Sequence, residues 1–138
     1  MIQFDKQSVF IVDDDEDDQF LLQRVFQQYL PACRLKVLDN GIALLDHLQT
    51  AEQLPALILL DLNMPYMGGF EALAQMRQEP IYQNLPVVIL TTSNQGEDQQ
   101  RAQELGANGF VTKPSDLEEY GQLMLRLRRD FRLEDCAQ

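Results

Sequence analysis

The 138-residue chain has no tryptophan, two cysteines, one histidine, and only 11 Lys and Arg against 22 Asp and Glu. Each shortage excludes something. Cys33 and Cys136 do not make a disulfide framework. With no CxxC spacing and His47 as the lone imidazole, the ligands of a zinc site are missing. Neither cysteine has an activating cation near it in sequence, so both read as inert thiols, suited to a reducing compartment. The net charge of −11 repels phosphate backbones and anionic membrane surfaces, which argues against nucleic-acid and membrane partners. It suits a protein that holds a divalent cation or meets a basic surface. No apolar run approaches the ~18 residues that span a bilayer, and Met1–Lys6 lacks the basic-then-apolar pattern of a signal peptide. The expected location is the cytoplasm.

What is present is an alternation of apolar runs and helical patterns. Ser8–Val12, Ala56–Leu60 and Pro86–Leu90 are short, apolar and partly β-branched, as buried strands are. Ala56–Leu60 is the most apolar and is expected mid-sheet. Arg34–Leu38 alternates polar with apolar, as a less buried strand does, and Gly109–Thr112 reads as a short fifth strand. Between them, Phe20, Leu21, Leu22, Val25, Phe26, Tyr29 and Leu30 fall at spacings of three and four on one helical face, ended by Pro31. Further helices are expected around Ile42–Leu48, over Phe70–Gln78, over Gly96–Leu105 with Gly106 just beyond its end, and from Ser115 or Asp116 through Leu127 and on to Phe131. Leu133–Gln138 is expected to fray. Five strand–helix units in series predict one α/β domain, residues 1–138 with a core of about 8–127, in which helices cover both faces of a parallel sheet.

In open sheets of this kind, sites form beyond the carboxyl ends of the strands. Those ends carry Asp13 and Asp14, Asp61, Thr91 and Thr92, and Lys113. Three converging carboxylates repel one another and call for counter-charge. Mg²⁺ fits, since it takes one or two carboxylates and leaves room for phosphate oxygens. Lys113 offers a second positive charge, Thr91 a hydroxyl, and the backbone near Thr92 an N–H for an oxyanion. Such a set suits phosphoryl transfer, where positioning and charge neutralisation do most of the work, with Asp61 as the nucleophile.

Each of these residues has a plainer reading. Asp13–Asp18 is an unbroken acidic run, and acidic residues are favoured in a helix's first turn. A solvated helix start accounts for most of Asp15, Glu16, Asp17 and Asp18, although acid beside the site could also tune its chemistry. Thr91 and Thr92 are ordinary strand-end residues, and Lys113 could be a surface lysine. On composition alone Phe110 reads as core. Met64, Tyr66 and Met67 read as loop packing with a partner contact as the alternative, and His47 reads as structural.

Ile11-Val12-Asp13-Asp14, Leu60-Asp61-Leu62-Asn63-Met64-Pro65, Gly68-Gly69, Leu90-Thr91-Thr92-Ser93 and Val111-Thr112-Lys113-Pro114 together resemble the receiver domains of two-component response regulators, over roughly Ser8–Leu127. Residues 84–93, with Ala107-Asn108 and Asp116-Leu117, resemble the stand-alone regulators paired with phytochrome-like and other hybrid sensor kinases. The resemblance implies a flavodoxin-like fold, a five-stranded parallel sheet in the order 2-1-3-4-5 with five flanking helices. It implies that Asp61 is phosphorylated by a sensor histidine kinase or a phosphotransfer protein. Asp14, Asp61 and the backbone carbonyl of Asn63 would bind Mg²⁺, with Asp13 acting through water. Lys113 and Thr91 would contact the phosphoryl group, the Lys113–Pro114 peptide would be cis, and Phe110 would be the switch aromatic. Ser93 and Asn63 would occupy the positions at which the family tunes phosphoryl lifetime. Ser115 departs from the apolar residue many relatives carry there, which would loosen packing beside the last helix.

An aspartyl phosphohydrolase would show a second Asp two residues after the first, where this chain has Asn63. A receiver-like interaction module that is never phosphorylated remains the alternative. The resemblance describes a phosphoacceptor rather than a dedicated enzyme. With no output domain expected in the chain, output would pass through protein contact or phosphorelay. The face comprising residues 95–105 and 110–127 is the expected contact surface and a possible homodimer interface. The strip Leu125–Arg129 could also pair subunits.

Overall fold

A computed structural model describes residues 3–133. Five strands, β1 (Gln3–Val12), β2 (Arg34–Leu38), β3 (Gln53–Leu60), β4 (Val87–Thr91) and β5 (Gly109–Thr112), alternate with five helices. These are α1 (Glu16–Tyr29), α2 (Gly41–Thr50), α3 (Gly69–Gln78), α4 (Gly96–Glu104) and α5 (Leu117–Asp130). Every strand pairing is parallel and the order is β2-β1-β3-β4-β5, the predicted arrangement, with β3 at the centre.

The apolar runs of β1, β3 and β4 follow from burial on both faces. Phe10, Val12, Ile58, Leu60, Val87 and Ile89 point to one side, against Leu44 and Leu48 of α2, Leu73 and Met76 of α3, and Ala102 of α4. Their neighbours Val9, Ile11, Leu57, Leu59, Val88 and Leu90 point to the other, against Leu22 and Phe26 of α1 and Leu123, Met124 and Leu127 of α5. Each fully buried side chain of this size contributes about 1.5–3 kcal/mol through removal from water. β2 lies at an edge and keeps the alternating burial its sequence predicts.

Several elements differ from the sequence reading. β1 begins at Gln3 and β3 at Gln53 because Gln3, Phe4 and Asp5 pair with Gln53, Leu54 and Pro55 before the register shifts between Asp5 and Val9. Phe20, expected on the buried face of α1, is 61% exposed and stacks under the Arg24 guanidinium instead. A single 3-10 turn, Pro80–Tyr82, precedes β4. Leu133 does not fray; it is buried in the core shared by α1 and α5. Residues 134–138, with Cys136, lie outside the described residues. Gly106 adopts φ +94° just past α4, the left-handed conformation that glycine takes without penalty. His47 packs edge-on against Phe10, a structural role. Asp116, not Ser115, caps α5 by accepting from the Glu119 N–H. Ser115 bonds the Glu119 carboxylate through both its N–H and its hydroxyl.

Candidate functional site

The sheet ladder continues one residue past three strands, and this assembles the site. Asp13 N–H donates to the Leu38 carbonyl, Asp61 N–H to that of Val12, and Lys113 N–H to that of Thr91, at 2.7–3.0 Å. Three chemically active residues, far apart in sequence, are thereby fixed at the carboxyl ends of β1, β3 and β5, on one edge of the sheet. Asp13, Asp61 and Thr91 are the buried polar side chains among the described residues, while Asp14 is exposed.

Each buried carboxylate has one oxygen tied to backbone and the other turned to the lysine. Asp61 Oδ1 accepts from Leu62 N–H at 2.8 Å, and Asp13 Oδ1 from Asp15 N–H at 2.9 Å. Lys113 Nζ lies 2.9 Å from Asp13 Oδ2 and 3.7 Å from Asp61 Oδ2. It also lies 2.6 Å from Asp18 Oδ2, a contact the sequence reading missed by assigning Asp18 to a solvated helix start. Asp18 occupies the first turn of α1, where Asp15 caps the helix by accepting from the N–H groups of Asp17 and Asp18. Its signal in the sequence was weak: a helix beginning directly above a strand-end site turns one first-turn side chain over that site.

Burial raises the pKa of Asp61. Lys113, Thr91 and the Leu62 N–H oppose the rise, and the nearby charge of Asp14 adds to it. Burial likewise raises Asp13, against the Asp15 N–H and Lys113. Burial works against the Lys113 charge, but Asp18, Asp13 and Asp61 outweigh it, and the ammonium stays charged well beyond its ordinary range. The single lysine therefore does not offset the desolvation of the two buried carboxylates. Three carboxylates, Asp13, Asp18 and Asp61, face this one ammonium, and Asp14 lies beside Asp61.

One carboxylate oxygen from each of Asp13, Asp14 and Asp61 lies within 4.8 Å of the others. This all-oxygen, charge-deficient cluster fits a hard divalent cation. A pH test follows from the carboxylate shifts. Asp13 and Asp61 have folded-state pKa values above the ordinary 3.8, so protons favour the metal-free fold. That contribution is complete below 3.8 and is lost as pH rises through the raised values. A cation needs the deprotonated form. Mg²⁺ is thus expected to raise Tm more at pH 7 than at pH 4, and thermal melts with and without millimolar MgCl₂ will show it. A pH-independent gain would contradict this account.

The other predicted site residues are dispersed. Thr92 and Asn63 are exposed on the loops after β4 and β3. Phe110 pairs with Ile89 in register and is half-buried against the core beneath α4, beside a groove of about 290 Å³ that Gln99, Ala102 and Gln103 also line. Ser93 donates its hydroxyl to Asp98 of α4, and its carbonyl accepts from the Thr112 hydroxyl. Met64 and Met67 pack on the core, whereas Tyr66 is 85% exposed with φ 68°. The cis Lys113–Pro114 peptide is a correction: no peptide bond among the described residues is cis. Trans is the favoured X–Pro isomer by about 0.5–1 kcal/mol, and with it the Lys113 ammonium still reaches Asp13 and Asp18.

Fold and cluster together define an α/β domain with an acidic site at the carboxyl edge of its sheet. The chain belongs to the response regulator receiver domain family, which matches residues 9–124, and so to the proteins of two-component systems. The response regulator Rcp1 of Synechocystis is 35% identical over 116 residues, 80% of this chain and 79% of Rcp1. The phosphorylated cyanobacterial phytochrome response regulator RcpA superposes with a TM-score of 0.83 at 27% identity, covering 91% of this chain and 94% of RcpA. The Mn²⁺-bound form of Rcp1 superposes with a TM-score of 0.79 at 33% identity, covering 93% and 95%. A cyclic di-GMP phosphodiesterase of Vibrio cholerae is 36% identical over 107 residues, 78% of this chain but 23% of that protein. Among the described residues no helix is long and apolar enough to cross a membrane.

Proposed function

We propose that this chain is a stand-alone response regulator that accepts a phosphoryl group on Asp61 from a sensor histidine kinase or a phosphotransfer protein. The observation that carries the reading is the Asp61 carboxylate itself. It is buried, its Oδ1 is held by Leu62 N–H, and its Oδ2 faces Lys113 Nζ at 3.7 Å with Asp13 and Asp14 alongside. Asp61 Oδ2 attacks phosphorus while the bond from phosphorus to the donor breaks. Lys113 and the Thr91 hydroxyl take up charge on the phosphoryl oxygens, and the Thr92 N–H donates to one of them. Asp14, Asp61 and the Asn63 carbonyl would hold Mg²⁺, with Asp13 through water; the bound ion supplies charge neutralisation between carboxylates and phosphoryl oxygens.

Output is assigned to the face of α4, β5 and α5. Thr91 and Phe110 lie on adjacent strands, so a Thr91 hydroxyl drawn toward Asp61 vacates volume that Phe110 can enter. The same face is the proposed homodimer surface, and Leu117 and Leu125 are exposed on α5. The chain acts in the cytoplasm as one receiver domain, with a core over residues 8–127. It transfers and loses its own phosphoryl group without a separate substrate.

The test is incubation with acetyl phosphate and Mg²⁺ followed by intact-mass analysis. One phosphoryl-sized gain is expected, dependent on Mg²⁺. A chain that stays unlabelled under both acetyl phosphate and a phosphorylated histidine donor would favour the unphosphorylated interaction module instead.

A further inference from the structure

Lys113 Nζ makes its shortest contact with Asp18, a residue of a helix rather than of a strand end. The distances are 2.6 Å to Asp18, 2.9 Å to Asp13 and 3.7 Å to Asp61. An ammonium has three N–H donors. Two are committed to Asp18 and Asp13, and Asp61 lies beyond hydrogen-bond distance. A phosphoryl group on Asp61 must draw this ammonium toward itself, and the lysine stem is anchored at the end of β5. One existing contact has to lengthen.

Exposure decides which one. The Asp13 side chain is 3% exposed and that of Asp18 is 27% exposed. Asp13 is shut off from bulk water and could replace the lysine only with the cation's own water, whereas Asp18 can be rehydrated where it stands. The Asp18 hydrogen bond also helps most directly, with that of Asp13 next, to keep Lys113 charged against its burial.

We propose that Asp18 is a positioning residue: it holds Lys113 in reserve in the resting protein and competes with the Asp61 phosphoryl group for the ammonium, which sets how readily that group is taken up and how long it stays. This rests on the reading of Asp61 and Lys113 given above. The competition is specific to position 18. Asp17, one residue earlier and exposed, adds the same charge to the neighbourhood without touching the lysine.

The test compares intact wild-type protein with Asp18→Asn, Asp18→Glu and Asp17→Asn. Beryllofluoride, a phosphoryl mimic, is titrated with Mg²⁺ present and binding is read by calorimetry. Asp18→Asn is expected to tighten binding roughly three- to tenfold, the scale of one partly exposed charge-assisted contact. Asp17→Asn is expected to change it by less than about twofold through screened charge alone, and Asp18→Glu to return it toward wild type. A second readout needs neither metal nor mimic. Solvent exchange of the Lys113 ammonium protons, followed by ¹⁵N NMR, should quicken in Asp18→Asn and stay unchanged in Asp17→Asn. Weaker binding in Asp18→Asn, or binding and exchange indistinguishable from Asp17→Asn, would overturn the role of Asp18 alone. A wild type that binds no mimic and takes no phosphoryl group would overturn the reading of Asp61, and this role with it.

Discussion

Asp61→Asn is expected to take up no phosphoryl group, and at neutral pH without metal to be more stable than the wild type. The first effect is a loss to background. The amide keeps the shape of the carboxylate and still accepts from Leu62 N–H through Oδ1, but it presents NH₂ where the nucleophilic oxygen stood. The second effect has the opposite sign because the site is charge-deficient. Burial holds the Asp61 pKa above 3.8, so ionising it in the folded, metal-free protein costs stability. That cost grows as pH rises from 3.8 through the folded value. Asparagine carries no such cost and leaves Lys113 paired to Asp13 and Asp18. The Tm advantage of the variant should reach a few degrees at pH 7 and fade toward pH 4. Intact-mass spectra after acetyl phosphate treatment and melts at the two pH values check both halves. Labelling of the variant would move the acceptor elsewhere. A variant less stable at pH 7 would show that attraction to Lys113 outweighs desolvation.

How much of this could be read from the chain depends on whether a feature is local. The centre of the sheet was legible because Leu57-Ile58-Leu59-Leu60 has no solvated face, and a strand with none must be covered on both sides. The strand-end residues were legible for a related reason. Asp13, Asp61 and Lys113 interrupt apolar runs abruptly, and parallel pairing in the order β2-β1-β3-β4-β5 leaves their backbones one rung beyond the ladder. The early start of β1 was not legible. Asp5, Lys6 and Gln7 offer no apolar pattern, and Pro55 opposite Asp5 cannot donate to a ladder, which argues against a strand on sequence grounds. Nor was the Asp18 contact, which joins residues 95 positions apart. In an unbroken acidic run, nothing but the helical phase of α1 distinguishes Asp18 from Asp17. Phe20 failed for a comparable reason: apolar spacing places a side chain on a face, but not at the margin of that face where Arg24 covers it.

Gly69→Ala should damage the fold and the site together, although it adds one methyl group at the start of a helix. A Cβ on Gly69 would lie 2.3 Å from the Asp61 carbonyl oxygen and 3.0 Å from the Leu62 Cα. Both are backbone atoms, so no side chain can swing aside. The segment is also tied directly, since Gly69 N–H donates to the Leu62 carbonyl at 3.0 Å. The helix gains up to ~1 kcal/mol from the better helix former, while overpacking costs about 1–3 kcal/mol and occasionally more. With the clash this deep and confined to backbone, the penalty should sit at the upper end and the net change should be destabilising. What has to move is the Asp61 main chain, whose N–H is fixed to Val12 and whose side chain must meet phosphorus in line. A misplacement of about 1 Å is worth up to 10²-fold in rate, so acetyl phosphate labelling should slow by at least roughly tenfold in whatever fraction remains folded. Gly96→Ala is the matched comparison. It makes the same exchange in the first turn of α4, where a Cβ meets nothing within 4 Å, and it should be neutral or slightly stabilising with labelling unchanged. Urea denaturation and labelling kinetics on the two variants separate the explanations. If both behave alike, helix propensity governs the outcome and the close approach of α3 to Asp61 carries no weight. If Gly69→Ala alone loses stability and labelling, the small residue at that position is what lets the helix seat itself against the backbone of the phosphoacceptor.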